Sequence, residues 1–261
     1  MNDKTILGGL DPELVSRLTT RREAIFKAGK LGVALASAPI ALGALSSATF
    51  GQGSPLPAQI VDTLNFALTL EFLEDEFYRT AINSRNLIPN TTRKVFRQIS
   101  DHEAAHVKFL QGALGTAATT KPTFDFTAGG AFADVFSNYQ TFLAVSQAFE
   151  DTGVRAYKGQ AGNLISNNDV LTAALSIHSV EARHASQVRR IRGEKGWITG
   201  SSRGTLPAPT QAIYDGDDNT TQGGANLAGL AGVPASAVTE AFDEPLTKEE
   251  VLAIARLFIK G

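Results

Sequence analysis

The chain has 261 residues, a formal net charge of −2 and no cysteine. That length holds one large domain, or one domain with an elaborated tail, and the balanced charge implies no nucleic acid or acidic membrane surface as a partner. Without cysteine there are no disulfides, thiolate zinc sites or iron–sulfur ligation, so any metal has to be held by oxygen and imidazole.

The first fifty residues carry a twin-arginine block, Thr20-Arg21-Arg22-Glu23-Ala24-Ile25-Phe26-Lys27, then an apolar Ala/Gly-rich run from Leu31 to Leu45 and the small residues Ser46-Ser47-Ala48. A charged block, a modest apolar run and a small-residue cleavage zone, in that order, resemble a bacterial twin-arginine (Tat) export signal. The apolar run is too short and too rich in Gly and Ala to span a bilayer. Residues 1–51 are expected to be signal and linker, and the mature protein is expected in the periplasm or outside the cell with no stable membrane span.

Four helices are expected next. The first runs from about Ala58 to Ile82, with Ile60, Leu64, Ala67, Leu68, Glu71, Asp75 and Tyr78 on its inward stripe. A short break containing Pro89 leads to a second, from about Thr91 to Leu114, stopped by Gly115. The stretch from Thr116 to Gly130 reads as a long loop, with a helical turn near Phe132–Phe136. A third helix covers about Asn138 to Ala161, with Gly162 and Asn163 as its stop. Ser166-Asn167-Asn168 offers N-caps for a fourth, from about Asp169 to Arg192, ending at Gly193. Short, long and short links in that order specify two antiparallel hairpins joined by one long crossover, an all-α four-helix bundle over residues 52–197.

Residues 198–261 form an extension. Its composition turns to Gly, Ser, Thr, Pro and Asn from Thr199 to Gly232, which predicts irregular structure. Thr247 and Glu250 have the spacing of a capping box and predict a short terminal helix. The run Asp215-Gly216-Asp217-Asp218-Asn219 mimics the start of a calcium loop. It lacks the glycine and closing glutamate such a loop needs, so it reads as a solvated turn.

The chemistry is concentrated in a repeat. Glu-x-x-His occurs twice, as Glu103–His106 and Glu181–His184. Each copy follows a glutamate, Glu71 or Glu150, by 32 or 31 residues, and each of those glutamates is followed seven positions on by a tyrosine, Tyr78 or Tyr157. Residues three apart share one helix face, so each Glu-x-x-His can offer a carboxylate and an imidazole to one ion. Glu71 and Glu150 supply the remaining carboxylates, and four negative charges match two divalent cations. Oxygen and imidazole donors favour iron or manganese, with zinc as a further option. Glu74 lies one turn from Glu71, but the repeat pairs position 71 with Glu150 and position 74 with Gly153, which favours Glu71 as the ligand. Tyr78 and Tyr157 are candidates for hydrogen-bond donors or one-electron relays beside the metals, or for buried tyrosines with satisfied hydroxyls. His102 and His178 read as core or rim histidines.

Through LTLEFLEDEFYRTA, DHEAAHVKFL, FEDTGVRAYKG and HSVEARHASQVRRIRG, the segment from Pro57 to Trp197 resembles bacterial ferritin-like proteins of the desiccation-related group, which are often exported with a Tat signal. The C-terminal AFDEPLTKEEVLAI extends the likeness more weakly. The resemblance implies a ferritin-like bundle in which Glu71, Glu103, His106, Glu150, Glu181 and His184 match the six di-metal ligands. The chain departs from rubrerythrins in lacking a four-cysteine iron domain, and from cage-forming ferritins in its signal and its long extension. Three functions follow as expectations: a di-metal oxidoreductase acting on peroxide or dioxygen in oxidative stress, a metal-sequestering protein, or a structural envelope protein associated with desiccation. A homo-oligomer is compatible with each.

Overall fold

A computed structural model describes residues 56–260. The export signal expected over residues 1–51 lies outside the described residues. Four long helices dominate: α1 (Ala58–Asn83), α2 (Asn90–Leu114), α3 (Tyr139–Gln160) and α4 (Asn168–Ile191). Their starts follow local chemistry. Pro57 and Pro89 stand just before α1 and α2, where a missing N–H costs nothing. The Asn138 side chain accepts from Gln140 N–H at the start of α3, and Asn167 accepts from Asp169 and Val170 N–H at the start of α4. Gly115 ends α2 with a φ of 54°, a conformation that favours glycine.

The links are short between α1 and α2 and between α3 and α4, and long from Gly115 to Asn138, so the hairpin–crossover–hairpin order stands. The crossover holds hydrogen-bonded turns around Phe132–Val135 rather than the expected helical turn. It is not a passive loop. Phe124, Phe126, Phe132 and Val135 are all buried, and Phe126 packs tilted against Phe77 at 5.4 Å and edge to face against Phe136 at 5.6 Å. Among the described residues no helix is long and apolar enough to cross a membrane.

Two cross-bundle hydrogen bonds reveal the direction of α1 relative to α3. Tyr78 on α1 reaches Glu150 on α3, and Tyr157 on α3 reaches Glu71 on α1. Each tyrosine is seven residues beyond its own helix's glutamate, so the two helices can exchange these bonds only if they run antiparallel. The repeat is therefore also a spatial pseudo-two-fold.

The extension docks through buried polar groups. Beyond short 3₁₀ turns and a two-residue hairpin, β1 (Thr221–Gln222) with β2 (Ala225–Asn226), it carries two short helices, α5 (Ala235–Thr239) and α6 (Lys248–Ala255). Thr247 and Glu250 form the predicted capping box at α6. Arg155 of α3, only 1 % exposed, donates to the carbonyls of Glu244, Ile213 and Asp215. Asp217 lies 3.7 Å from Arg155 and accepts from Glu244 N–H. The turn read as solvated is thus anchored by a fully buried aspartate. Burial raises its carboxyl to about 6, against the pull of the Glu244 N–H and Arg155. Asp151 of α3 takes a bidentate pair from Arg189 of α4, at 2.9 and 2.5 Å, and a 2.6 Å bond from Tyr214 of the extension. At Gly159 a Cβ would fall 2.0 Å from the Leu246 carbonyl oxygen, so only glycine lets the extension lie this close to α3.

Arg155→Ala is expected to lower the unfolding free energy by about 3–5 kcal/mol, because it strands Asp217 and three carbonyls in a dry contact. Chemical denaturation of the two proteins checks this, and a loss below about 1 kcal/mol would mean that the extension docks by apolar contact alone.

Candidate metal centre

All six repeat residues converge at mid-bundle. Glu71, Glu103, Glu150 and Glu181 are 0 % exposed, and His106 and His184 are buried with them. They form two overlapping groups, Glu71–Glu103–His106–Glu181 and Glu103–Glu150–Glu181–His184, each with one donor atom per residue within 4.8 Å of the others. Glu103 and Glu181 belong to both groups, whereas Glu71 and His106 belong to one and Glu150 and His184 to the other.

Nδ1 is the imidazole atom turned inward at both histidines. His106 Nδ1 lies 3.1 Å from Glu71 Oε2, 3.1 Å from Glu103 Oε2 and 3.3 Å from Glu181 Oε1. His184 Nδ1 lies 2.9 Å from Glu103 Oε1 and 3.3 Å from Glu150 Oε2, but at angles that make no hydrogen bond. Glu103 Oε1, Glu150 Oε2 and both Glu181 oxygens are likewise buried without a hydrogen-bond partner. One N–H cannot serve three carboxylates, and buried acceptors without donors are costly. A cation resolves both. Donors bound about 2.1 Å from one ion at right angles stand about 3 Å apart, as these do. The buried carboxylate and histidine groups are therefore positioned to hold metal ions.

The next ring of contacts orients these side chains. Tyr78 donates to Glu150 Oε1 at 2.5 Å, and Tyr157 donates to Glu71 Oε1. Each hydroxyl thus serves the glutamate of the other half, not the one on its own helix. His102, read from sequence as a core or rim residue, has its Nδ1 2.9 Å from His184 Nε2. Burial and the neighbouring His184 push His102 below its ordinary value, which favours His184 Nε2–H as the donor in this contact. That contact orients the His184 ring so that Nδ1 faces the carboxylates. His178 is half-buried and belongs to neither group. Glu74 is buried beside Glu181 but outside both groups. A Cβ at Gly153 would fall 3.1 Å from Glu181 Oε2 and 3.5 Å from Glu74 Oε1, so the glycine leaves room for both carboxyls.

Without a cation the site stores protons. Burial raises Glu71 to about 7, with His106 opposing, and burial together with neighbouring carboxylates holds Glu74 and Glu181 well above their usual range. Burial alone would lower both imidazoles, but Glu71 and Glu103 hold His106 high, and Glu150 and Glu103 hold His184 high. Burial would also raise Glu103, yet the two imidazoles beside it keep its carboxyl far below the ordinary value.

Two outcomes are expected. A group whose pKa is raised in the folded state stabilises it below the unfolded pKa and loses that contribution as pH rises through the folded one. The metal-free protein should therefore lose a few kcal/mol of stability between about pH 4.5 and pH 7, the window set by Glu71. Cations must displace these protons, so metal affinity should rise over the same window, with proton release seen by calorimetry in buffers of different ionisation enthalpy. Affinity independent of pH from 5 to 8 would contradict the stored-proton account. His102→Ala should weaken metal binding by about 10- to 100-fold, read by competition with a chelator, while the fold is retained.

A family model described as a ferritin-like domain matches residues 59–194, which is more than half of the chain and spans all four long helices. No curated protein matches the chain. Two antiparallel hairpins, one long crossover and a carboxylate–histidine cluster at mid-bundle agree with that match, and the chain belongs to the ferritin-like domain family.

Proposed function

We propose that this is an exported protein of the bacterial envelope whose bundle binds two ions of iron or manganese and uses them on peroxide or dioxygen in stress protection. The observation that carries the reading is the pair of inward Nδ1 atoms beside carboxylate oxygens that no protein donor satisfies, Glu181 Oε1 at His106 and Glu103 Oε1 and Glu150 Oε2 at His184. Glu71 and His106 would hold one ion, Glu150 and His184 the other, and Glu103 and Glu181 would bridge them. The sharing of those two glutamates by both groups supports this division. When bound, a redox-active pair of this kind supplies electrons to an O–O bond and polarises it.

The residues around the ions set the conditions. Burial of all six donors excludes bulk water and strengthens every charge interaction in the site. Tyr78 and Tyr157 hold Glu150 and Glu71 in fixed rotamers, and their phenols, kept protonated by burial and by those carboxylates, are proton donors within reach of the centre. No serine, cysteine, threonine or lysine lies among the six, and the carboxylates and imidazoles are taken as metal donors, so covalent chemistry by the protein is not part of this reading.

The twin-arginine block and the desiccation-group resemblance support the envelope location. A metal-sequestering role without turnover is the second reading, and the complete burial of the donors favours it, because a closed site retains its ions.

Protein purified after native export should contain about two metal ions per chain. Clearly less than one would sink both readings. Peroxide consumption and dioxygen consumption by the loaded protein should fall to background in Glu103→Ala/Glu181→Ala. Equal consumption by the two proteins would eliminate the enzyme reading, and no consumption by a fully loaded wild type would leave sequestration.

A further inference from the structure

The pseudo-two-fold is broken in the apolar packing around the two tyrosines. At the Tyr78 end of the bundle, Phe96 and Phe142 pack edge to face at 4.8 Å, and Tyr78 lies against them at 6.2 and 6.3 Å. The repeat carries Phe142 onto Thr63 and Phe96 onto Ala174 at the Tyr157 end. Two phenyl rings are thus replaced by a threonine and an alanine, and the space they would fill is a cavity of about 20 Å³. Thr63, Ala174 and Tyr157 all line it.

The cavity is lined almost entirely by apolar surface. Every residue around it is buried. Among its few polar groups, Thr63 Oγ1 donates to the Gln59 carbonyl, Gln160 Oε1 accepts from Asn163, and the Tyr157 hydroxyl donates to Glu71. Apolar wall dominates the space, and apolar cavities take up apolar guests. A space of about 10–15 Å³ on the same scale holds one water, so a diatomic molecule fits and a larger organic substrate does not.

Its position relative to the metal centre is fixed by helix geometry. Ala67, Leu110 and Ile177 in its wall stand four residues from Glu71, His106 and Glu181 respectively. Four residues are one helical turn, about 5.4 Å, so the cavity adjoins the carboxylate cluster, with Tyr157 between them.

We infer that this cavity is a holding site for a small apolar molecule of the dioxygen class, with Tyr157 as the partition between it and the centre. The identity of the guest rests on the metal-centre reading above. The existence of the site does not.

Xenon, an apolar probe of suitable size, tests it. Xenon-pressurised crystals of the protein should show xenon bounded by Thr63, Ala174 and Tyr157. Ala174→Phe, which restores the ring its counterpart Phe96 supplies, should abolish that xenon. Loaded with iron, the variant should keep its metal content while dioxygen oxidises it several-fold more slowly. Ala174→Leu, a smaller filler, gives the same comparison if the phenylalanine variant does not fold. An empty or water-filled cavity under xenon overturns the inference. So does a variant that loses xenon yet is oxidised by dioxygen at the wild-type rate. Xenon bound by a chain that holds no metal supports the site and sinks only the reading from which its guest was named.

Discussion

Placing four carboxylates at the centre of an apolar bundle is the constraint on which the rest of this molecule depends. Glu71, Glu103, Glu150 and Glu181 are completely buried, and a fifth, Glu74, sits beside them. An unpaired charge in such a place costs far more than any single packing contact returns. The cluster exists because the charges are answered, by protons and imidazolium in the metal-free chain and by cations when they bind. The raised carboxyls and raised histidines are two expressions of that one debt of solvation.

The bundle is arranged to keep the donors in place. Antiparallel α1 and α3 exchange Tyr–Glu bonds, so each half of the repeat orients a carboxylate of the other. His102 does the same for His184. No counterpart supports His106 in this way, because position 102 falls on Val180 when carried forward by the repeat, and valine has no hydrogen bond to give or take. The two halves are therefore alike in their donors and unlike in what surrounds them. The aromatic cluster beside Tyr78 and the cavity beside Tyr157 show the same divergence in packing. The repeated hairpin carries the same carboxylates and imidazoles in both halves, while the apolar surroundings of the two halves differ.

The extension locks onto α3 and α4 one or two turns from the donors. Asp151 and Arg155, flanking Gly153, carry the polar half of that contact, and Phe258 packs on Phe149 at 4.8 Å from the same side. The residues immediately before and after Glu150 are thus held by the extension, which ties the order of this segment to the geometry of the centre.

The sequence by itself determined the helices, their caps and the donor set. Helical periodicity is local, so Glu-x-x-His on one face, Asn167 as a cap and the Thr247–Glu250 box are readable from neighbours in the chain. The short and long links then allowed only one way of pairing the hairpins. Periodicity tells which residues share a face, not what that face meets, and everything else was decided there. Tertiary packing set Tyr78 against Glu150 instead of Glu71, brought His102 onto His184 across 82 positions, and buried Asp217 from a turn that looked solvated. The cavity is the clearest case. Thr63 and Ala174 are unremarked small residues in their own helices, and only the antiparallel packing of α1 with α3 and α2 with α4 places both gaps at one point beside the centre.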